Sequence, residues 1–129
     1  MKSLLIDTNF YAAIMLGNEL AQEAFQRFDK ILISPIMLGE LFSGFKNGNR
    51  EKENIYQFEK FLQLPSVDEV SLTKKTAEFY AVIYAQLKKA GTPLPTNDMW
   101  IAASAMEHGA ALATHDQHFE KIHNLILVK

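Results

Sequence analysis

Short apolar runs bounded by polar or turn-forming residues alternate along the chain with longer stretches in which apolar residues return every three or four positions. The runs are Leu4-Leu5-Ile6, Ile31-Leu32-Ile33, Val67–Val70, Ala110–Ala113 and Leu125–Val128, and they predict five strands. Ser34 followed by Pro35 marks a helix start, because serine caps and proline's fixed φ suits the first turn. That helix is predicted to run to about Phe45. Thr73 opens another helix that Gly91 closes, and Thr96 or Asn97 opens one that Gly109 closes. Two more fit Glu19–Phe28 and Glu51–Leu62. The longest polar stretch, Lys46–Asn54, has the length of an interhelical loop. Parallel neighbours need crossover connections, so strands alternating with helices predict an α/β fold: a mainly parallel five-stranded sheet flanked by helices in three layers. Without linker, repeat or low-complexity tract, residues 1–129 are expected to form one domain.

Composition adds limits. At 129 residues and 48% hydrophobic content the chain can bury one substantial core. Its 13 basic and 15 acidic residues leave a formal net charge of -2, so no global positive field holds nucleic acid or an anionic membrane. Any such partner needs a local device. Cysteine is absent, which removes disulfides, thiolate zinc sites and cysteine nucleophiles, and suits a reducing compartment. The opening Met1–Ile6 meets Asp7 too early for a secretory core, and no apolar run is long enough to span a bilayer. A cytoplasmic protein without membrane contact is the expectation.

Ligands of open parallel sheets bind beyond the carboxyl ends of the strands, so acidic residues there carry the candidate chemistry. Asp7 ends the first predicted strand, and Asp116 follows the fourth. The helix that leads into that fourth strand must run back to it, which puts Asp98, near its start, on the same edge. Glu40 lies about 7 Å along the axis from the start of the Ser34 helix, at ~1.5 Å per residue. It shares a stripe with Ile36, Met37, Ser43 and Gly44, which reads as a buried face. Asp98 shares its face with Ala102 and Ala105, small enough for close approach to the sheet.

Each acid also has a plain structural reading. Asp7 can cap the next helix, Asp98 can favour a helix N-terminus, Asp116 can make an Asx turn, and Glu40 can satisfy buried donors. Together these readings weaken, because four unpaired anions on one rim repel unless cations neutralise them. Oxygen donors suit Mg²⁺ or Mn²⁺; zinc is the runner-up, through His115, Asp116 and His118. Those histidines read as surface or supporting residues, since no matching helical histidine pair exists elsewhere, and His108 and His123 carry no signal. Divalent ions held by carboxylates suit phosphodiester hydrolysis and supply the positive charge that the composition lacks.

Four segments in this order resemble the PIN-domain ribonucleases: Asp7-Thr8-Asn9, Gly39-Glu40-Leu41, Asn97-Asp98-Met99-Trp100-Ile101-Ala102-Ala103 and Thr114-His115-Asp116-Gln117-His118-Phe119. The subgroup they resemble is the VapC-type toxins of bacterial and archaeal toxin–antitoxin pairs. The resemblance implies a PIN-like fold and Mg²⁺- or Mn²⁺-dependent cleavage of single-stranded RNA by Asp7, Glu40, Asp98 and Asp116. It makes the first three the main metal-coordinating group and Asp116 the residue that completes the acidic pocket. It further implies that Thr8, Asn9 and Thr114 orient carboxylates or bound water, that the protein forms a homodimer, and that a VapB-type antitoxin blocks the site.

Beyond the rim, Lys46, Arg50 and Lys52 could hold RNA phosphates or simply decorate a solvated loop. Met37, Phe42 and Phe45 give the Ser34 helix more apolar surface than one sheet face covers, which offers a partner groove or extra core. Rival readings fare worse. A phospho-receiver would need an aspartate ending the third strand, where Asp68 and Glu69 lie inside the run. A haloacid-dehalogenase-like phosphatase would carry an acid where Asn9 stands. An RNA-processing nuclease without an antitoxin, and a non-catalytic PIN scaffold that binds RNA or protein, remain as alternatives. A metal-free ribonuclease would differ in leaving a cyclic phosphate.

Overall fold

A computed structural model describes residues 2–129. The elements are β1 (Ser3–Ile6), α1 (Thr8–Met15), α2 (Glu19–Arg27), β2 (Lys30–Ile33), α3 (Pro35–Asn47) and α4 (Glu51–Leu62). They continue with β3 (Val67–Glu69), α5 (Lys74–Ala90), α6 (Thr96–Glu107), β4 (Ala111–Ala113), a 3-10 turn (Gln117–Lys121) and β5 (Leu127–Val128). The sheet order is β3-β2-β1-β4-β5, and every pairing is parallel. From central β1 the chain winds outward through β2 and β3, then returns to the other side of β1 for β4 and β5. The winding therefore reverses between β1 and β4, and the carboxyl ends of those two strands flank the crevice that such a reversal opens.

Side chains alternate across the sheet with a period of two, and each face meets its own helical layer. Leu4, Ile6, Ile31 and Ile33 join Phe10, Tyr11, Phe28, Met37, Leu41, Phe58 and Phe61 under α1 to α4. Leu5, Leu32 and Leu112 turn the other way, to Ile83, Leu87, Met99, Ile101 and the alanines of α6. Ala102, Ala103 and Ala105 are fully buried, so α6 lies close on the sheet. Tight seating of that helix fixes the position of its first turn.

Helix boundaries follow the caps. Ser34 accepts from the Met37 N–H at 3.2 Å with Pro35 in the first turn, and Gly91, at φ 71°, ends α5 in the left-handed region that glycine tolerates. Gly109, at φ 61°, follows α6 in the same region. The expected loop Lys46–Asn54 is mostly helical: Lys46 and Asn47 finish α3, and Glu51–Asn54 begin α4. Glu51 and Glu53 in that first turn complement the helix dipole, although Arg50 offers no side-chain cap. The outer strands are shorter than the apolar runs that predicted them. Val70 retains one ladder hydrogen bond, to Ile33 O, and Ile126 accepts from Leu112 N ahead of β5.

Candidate active-site cleft

Four carboxylates reach one cleft of about 700 Å³, whose walls include Asp7, Thr8, Asn9, Ile36, Gly39, Glu40, Ser43, Asn97, Asp98, Ile101, Asp116 and Phe119. Asp7 arrives at the end of β1, where its N–H still bonds to Ala113 O of β4 at 3.3 Å. Its carboxylate accepts from the Phe10 N–H at 2.8 Å and so caps α1. Capping and cleft lining are both true of this residue. Burial pushes the Asp7 carboxyl above its ordinary value and the Asp98 charge adds to that, while Thr114, the Phe10 N–H and His115 act against it. Only 8% of Asp7 is exposed, so its charge has little water to stabilise it.

Glu40 enters from the second turn of α3. The expectation of a buried face needs correction here. Met37 and Leu41 meet the core, while Ile36, Gly39, Glu40 and Ser43 form the cleft wall, with Glu40 half-buried and Ser43 and Gly44 exposed. The Thr8 hydroxyl donates to Glu40 Oε1 at 2.6 Å, and Asn97 Nδ2 lies 3.4 Å from Oε2. Three elements thus meet at this one carboxylate: its own α3, α1 and α6.

On the opposite wall, Asp98 lies in the first turn of α6, which starts at Thr96 after Pro95 and lacks a side-chain cap. Asp116 precedes the 3-10 turn and accepts from the His118 N–H at 3.2 Å, while Thr114 Oγ1 accepts from the Asp116 N–H at 3.0 Å. His118 then folds its ring between the two acids. Nε2 lies 2.6 Å from Asp98 Oδ2, and Nδ1 lies 2.6 Å from Asp116 Oδ1. Donor atoms of Asp98, Asp116 and His118 all fall within 4.8 Å of one another. Asp7 and Glu40 line the same cleft outside that tight group.

Among the described residues no lysine or arginine pairs with Asp7, Glu40, Asp98 or Asp116. The donor set therefore suits a divalent cation: hard carboxylate oxygens with no lysine or arginine among them, only His118 between Asp98 and Asp116 and His115 near Asp7. Of the residues expected to orient them, Thr8 holds Glu40, Thr114 supports both Asp116 and Asp7, and Asn9 lines the cleft. Lys46, Arg50 and Lys52 do not line it; Lys46 pairs with Glu51 at 2.9 Å and Arg50 with Glu53 at 2.5 Å. Met37 is fully buried, Phe45 packs against the core, and Phe42 stays 38% exposed, so most of that apolar surface serves the core.

Sequence reasoning left out the hold of Asn97 on Glu40, and it named His118 beside Asp116 only as a runner-up ligand or supporting residue, without its contact to Asp98. The signals were present: Asn97 adjoins Asp98 at a helix start, and His118 follows Asp116 by two residues. Such a spacing brings both side chains to one side only when the backbone turns tightly, as the 3-10 segment does here.

Comparisons with known proteins identify the family and the fold. A family model described as PIN domain matches residues 4–125. Ribonuclease VapC1 of Rickettsia felis is 32% identical over 131 residues, covering 95% of this chain and 92% of that protein. Ribonuclease VapC2 of Haemophilus influenzae is 28% identical, with 95% and 93% covered. The crystal structure of VapBC2 from Rickettsia felis bound to a DNA fragment from their promoter aligns at TM-score 0.87 and 25% identity, covering 98% and 97% of the two chains. VapBC-1 from nontypeable Haemophilus influenzae aligns at TM-score 0.86 and 26% identity, again covering 98% and 97%. On the strength of that match along nearly its whole length, the chain belongs to the PIN domain family, among the VapC ribonucleases.

Proposed function

We propose that this protein, as one PIN domain over residues 1–129, is a Mg²⁺- or Mn²⁺-dependent endoribonuclease that hydrolyses RNA phosphodiester bonds as the toxin of a toxin–antitoxin pair. The observation that carries the reading is the convergence of Asp7, Glu40, Asp98 and Asp116 on one cleft without a lysine or arginine partner among the described residues. These four acids would hold the metal. When bound, the divalent ion supplies charge for the phosphate and activation for water. The protein's own share is orientation: Thr8 and Asn97 fix Glu40, Thr114 sets the Asp116 turn, and the buried α6 alanines hold Asp98 against the sheet.

Support for a VapB-type partner comes from the VapBC complexes that this chain resembles along nearly its full length. Self-association has support in α5 and α6, where Tyr84 is 48% exposed beside an apolar recess that includes Leu87, Leu94 and Met99. Sedimentation at two protein concentrations tests that homodimer. We also assign RNA-phosphate contacts to Lys46, Arg50 and Lys52, exposed residues at the far end of α3 and the start of α4. Among the described residues no helix is long and apolar enough to cross a membrane.

The test is cleavage of a mixed cellular RNA pool with Mg²⁺, Mn²⁺ or a chelator, beside Asp98→Asn, with both proteins freed of any copurified inhibitor. Metal-dependent cutting absent from the variant is expected. Equal cutting by both folded proteins would overturn the reading.

A further inference from the structure

Resting on the metal-dependent reading above and deepening it, we infer that His118 is a direct nitrogen ligand of the cation and that Asp116 orients its ring. The four-carboxylate account has no place for this imidazole. Yet His118 forms the tight donor group with Asp98 and Asp116, all within 4.8 Å, close to the span that one ion reaches with ligand distances of about 2.0–2.2 Å.

The ring is held on several sides. Nδ1 contacts Asp116 Oδ1 at 2.6 Å, the His118 N–H donates to the same oxygen at 3.2 Å, and the Phe119 ring lies 5.2 Å away between centroids. The turn that carries Asp116 is itself fixed by the Asp116 N–H on Thr114 Oγ1. Metal-bound histidines regularly donate their second ring N–H to a carboxylate, which sets the tautomer and the ring plane. Asp116 occupies that station on Nδ1. Nε2 is then directed at Asp98 Oδ2, 2.6 Å away, where a cation bound to Asp98 meets its lone pair.

Ligand chemistry gives this arrangement a consequence. Mg²⁺ prefers oxygen donors and retains its waters, whereas imidazole suits the transition metals better. A site containing His118 therefore selects Mn²⁺ over Mg²⁺. The competing role for the ring is that of a counter-cation, which spaces two carboxylates and gives way when an ion enters.

Pulsed electron paramagnetic resonance on chelator-stripped protein reloaded with Mn²⁺ separates the two roles, using wild type, His118→Asn and Asp116→Asn. Wild type is expected to show nitrogen coupling to the Mn²⁺ spin. His118→Asn should lose that coupling, bind Mn²⁺ about 10-fold more weakly and change Mg²⁺ affinity less than about twofold. Asp116→Asn should keep the coupling with weakened Mn²⁺ affinity. Wild-type protein that binds Mn²⁺ without nitrogen coupling would overturn the inference and leave the carboxylate site standing. Absence of Mn²⁺ binding by folded wild type would overturn both. The wild-type spectrum decides the matter even if His118→Asn fails to fold, which circular dichroism reports.

Discussion

Two walls of one cleft hold their carboxylates by different chemistry. Glu40 takes neutral partners, the Thr8 hydroxyl and the Asn97 amide, while Asp98 and Asp116 share the imidazole of His118. Neutral donors fix geometry and leave the negative charge in place for a cation. An imidazole can cancel charge when protonated, so the second wall contains a group that either joins the cation or yields to it. Asp7 stands apart from both: a helix cap and burial hold it, and its own burial works against its charge. At Asp7 the buried anion thus comes at a cost in fold stability.

The largest effect should come from breaking the Asp98 wall. Asp98→Asn keeps the size of the side chain and is expected to lower single-turnover RNA cleavage by more than about 100-fold, beyond what removal of a supporting partner causes. Thr8→Val should come next, because the isosteric change removes the 2.6 Å bond that orients Glu40. A drop of roughly 10-fold in cleavage is expected, with a smaller one for Asn97→Ala, whose hydrogen bond at 3.4 Å is longer.

Asp7 sharpens the comparison through stability. Its folded-state carboxyl is raised above the ordinary 3.8, so as pH rises the unfolded chain gives up this proton before the folded protein does. The folded state then binds more protons, and stability falls as pH rises through the folded value. Asp7→Asn removes the charge and keeps a capable cap. In chelator, its melting temperature relative to wild type should therefore rise as pH is raised from about 4 to about 7, although cleavage is abolished.

Ser34→Ala tests the frame beneath the first wall. The serine is fully buried and caps α3, so urea denaturation should register a destabilisation of about 1 kcal/mol. The smallest effect is expected at the periphery. Replacing Lys46, Arg50 and Lys52 with alanine should leave metal binding unchanged and reduce the salt dependence of RNA affinity by about one unit of slope for each phosphate that is no longer neutralised. An unchanged slope would remove those residues from the RNA surface.

Much of this was legible in the chain because local rules and tertiary demands agree. Apolar runs gave the strands, Ser34-Pro35 and Gly91 gave helix ends, and the order of elements placed Asp7, Asp98 and Asp116 on one rim. Glu40 was legible as a site candidate but its wall was misjudged: a stripe beginning with Ile36 and Met37 reads as one buried face, whereas Met37 enters the core under α1 to α4 and Ile36, packed against the core on the α6 side, also lines the cleft beside Glu40. The Lys46–Asn54 segment misled because its charges resemble a loop although they suit the end of one helix and the start of the next. His118 was least legible. Its role depends on a 3-10 turn and on a partner twenty residues earlier, and neither leaves a periodic trace.

The most direct test of the central claim is the chemistry of the cut ends. RNA treated with the purified protein and Mg²⁺ or Mn²⁺ should carry a 5′-phosphate and a 3′-hydroxyl at each new break, as attack by activated water requires. No such ends should form in chelator. A 2′,3′-cyclic phosphate produced in the presence of chelator would contradict the account, because it would assign the cleavage to the ribose hydroxyl rather than to a metal held by these carboxylates.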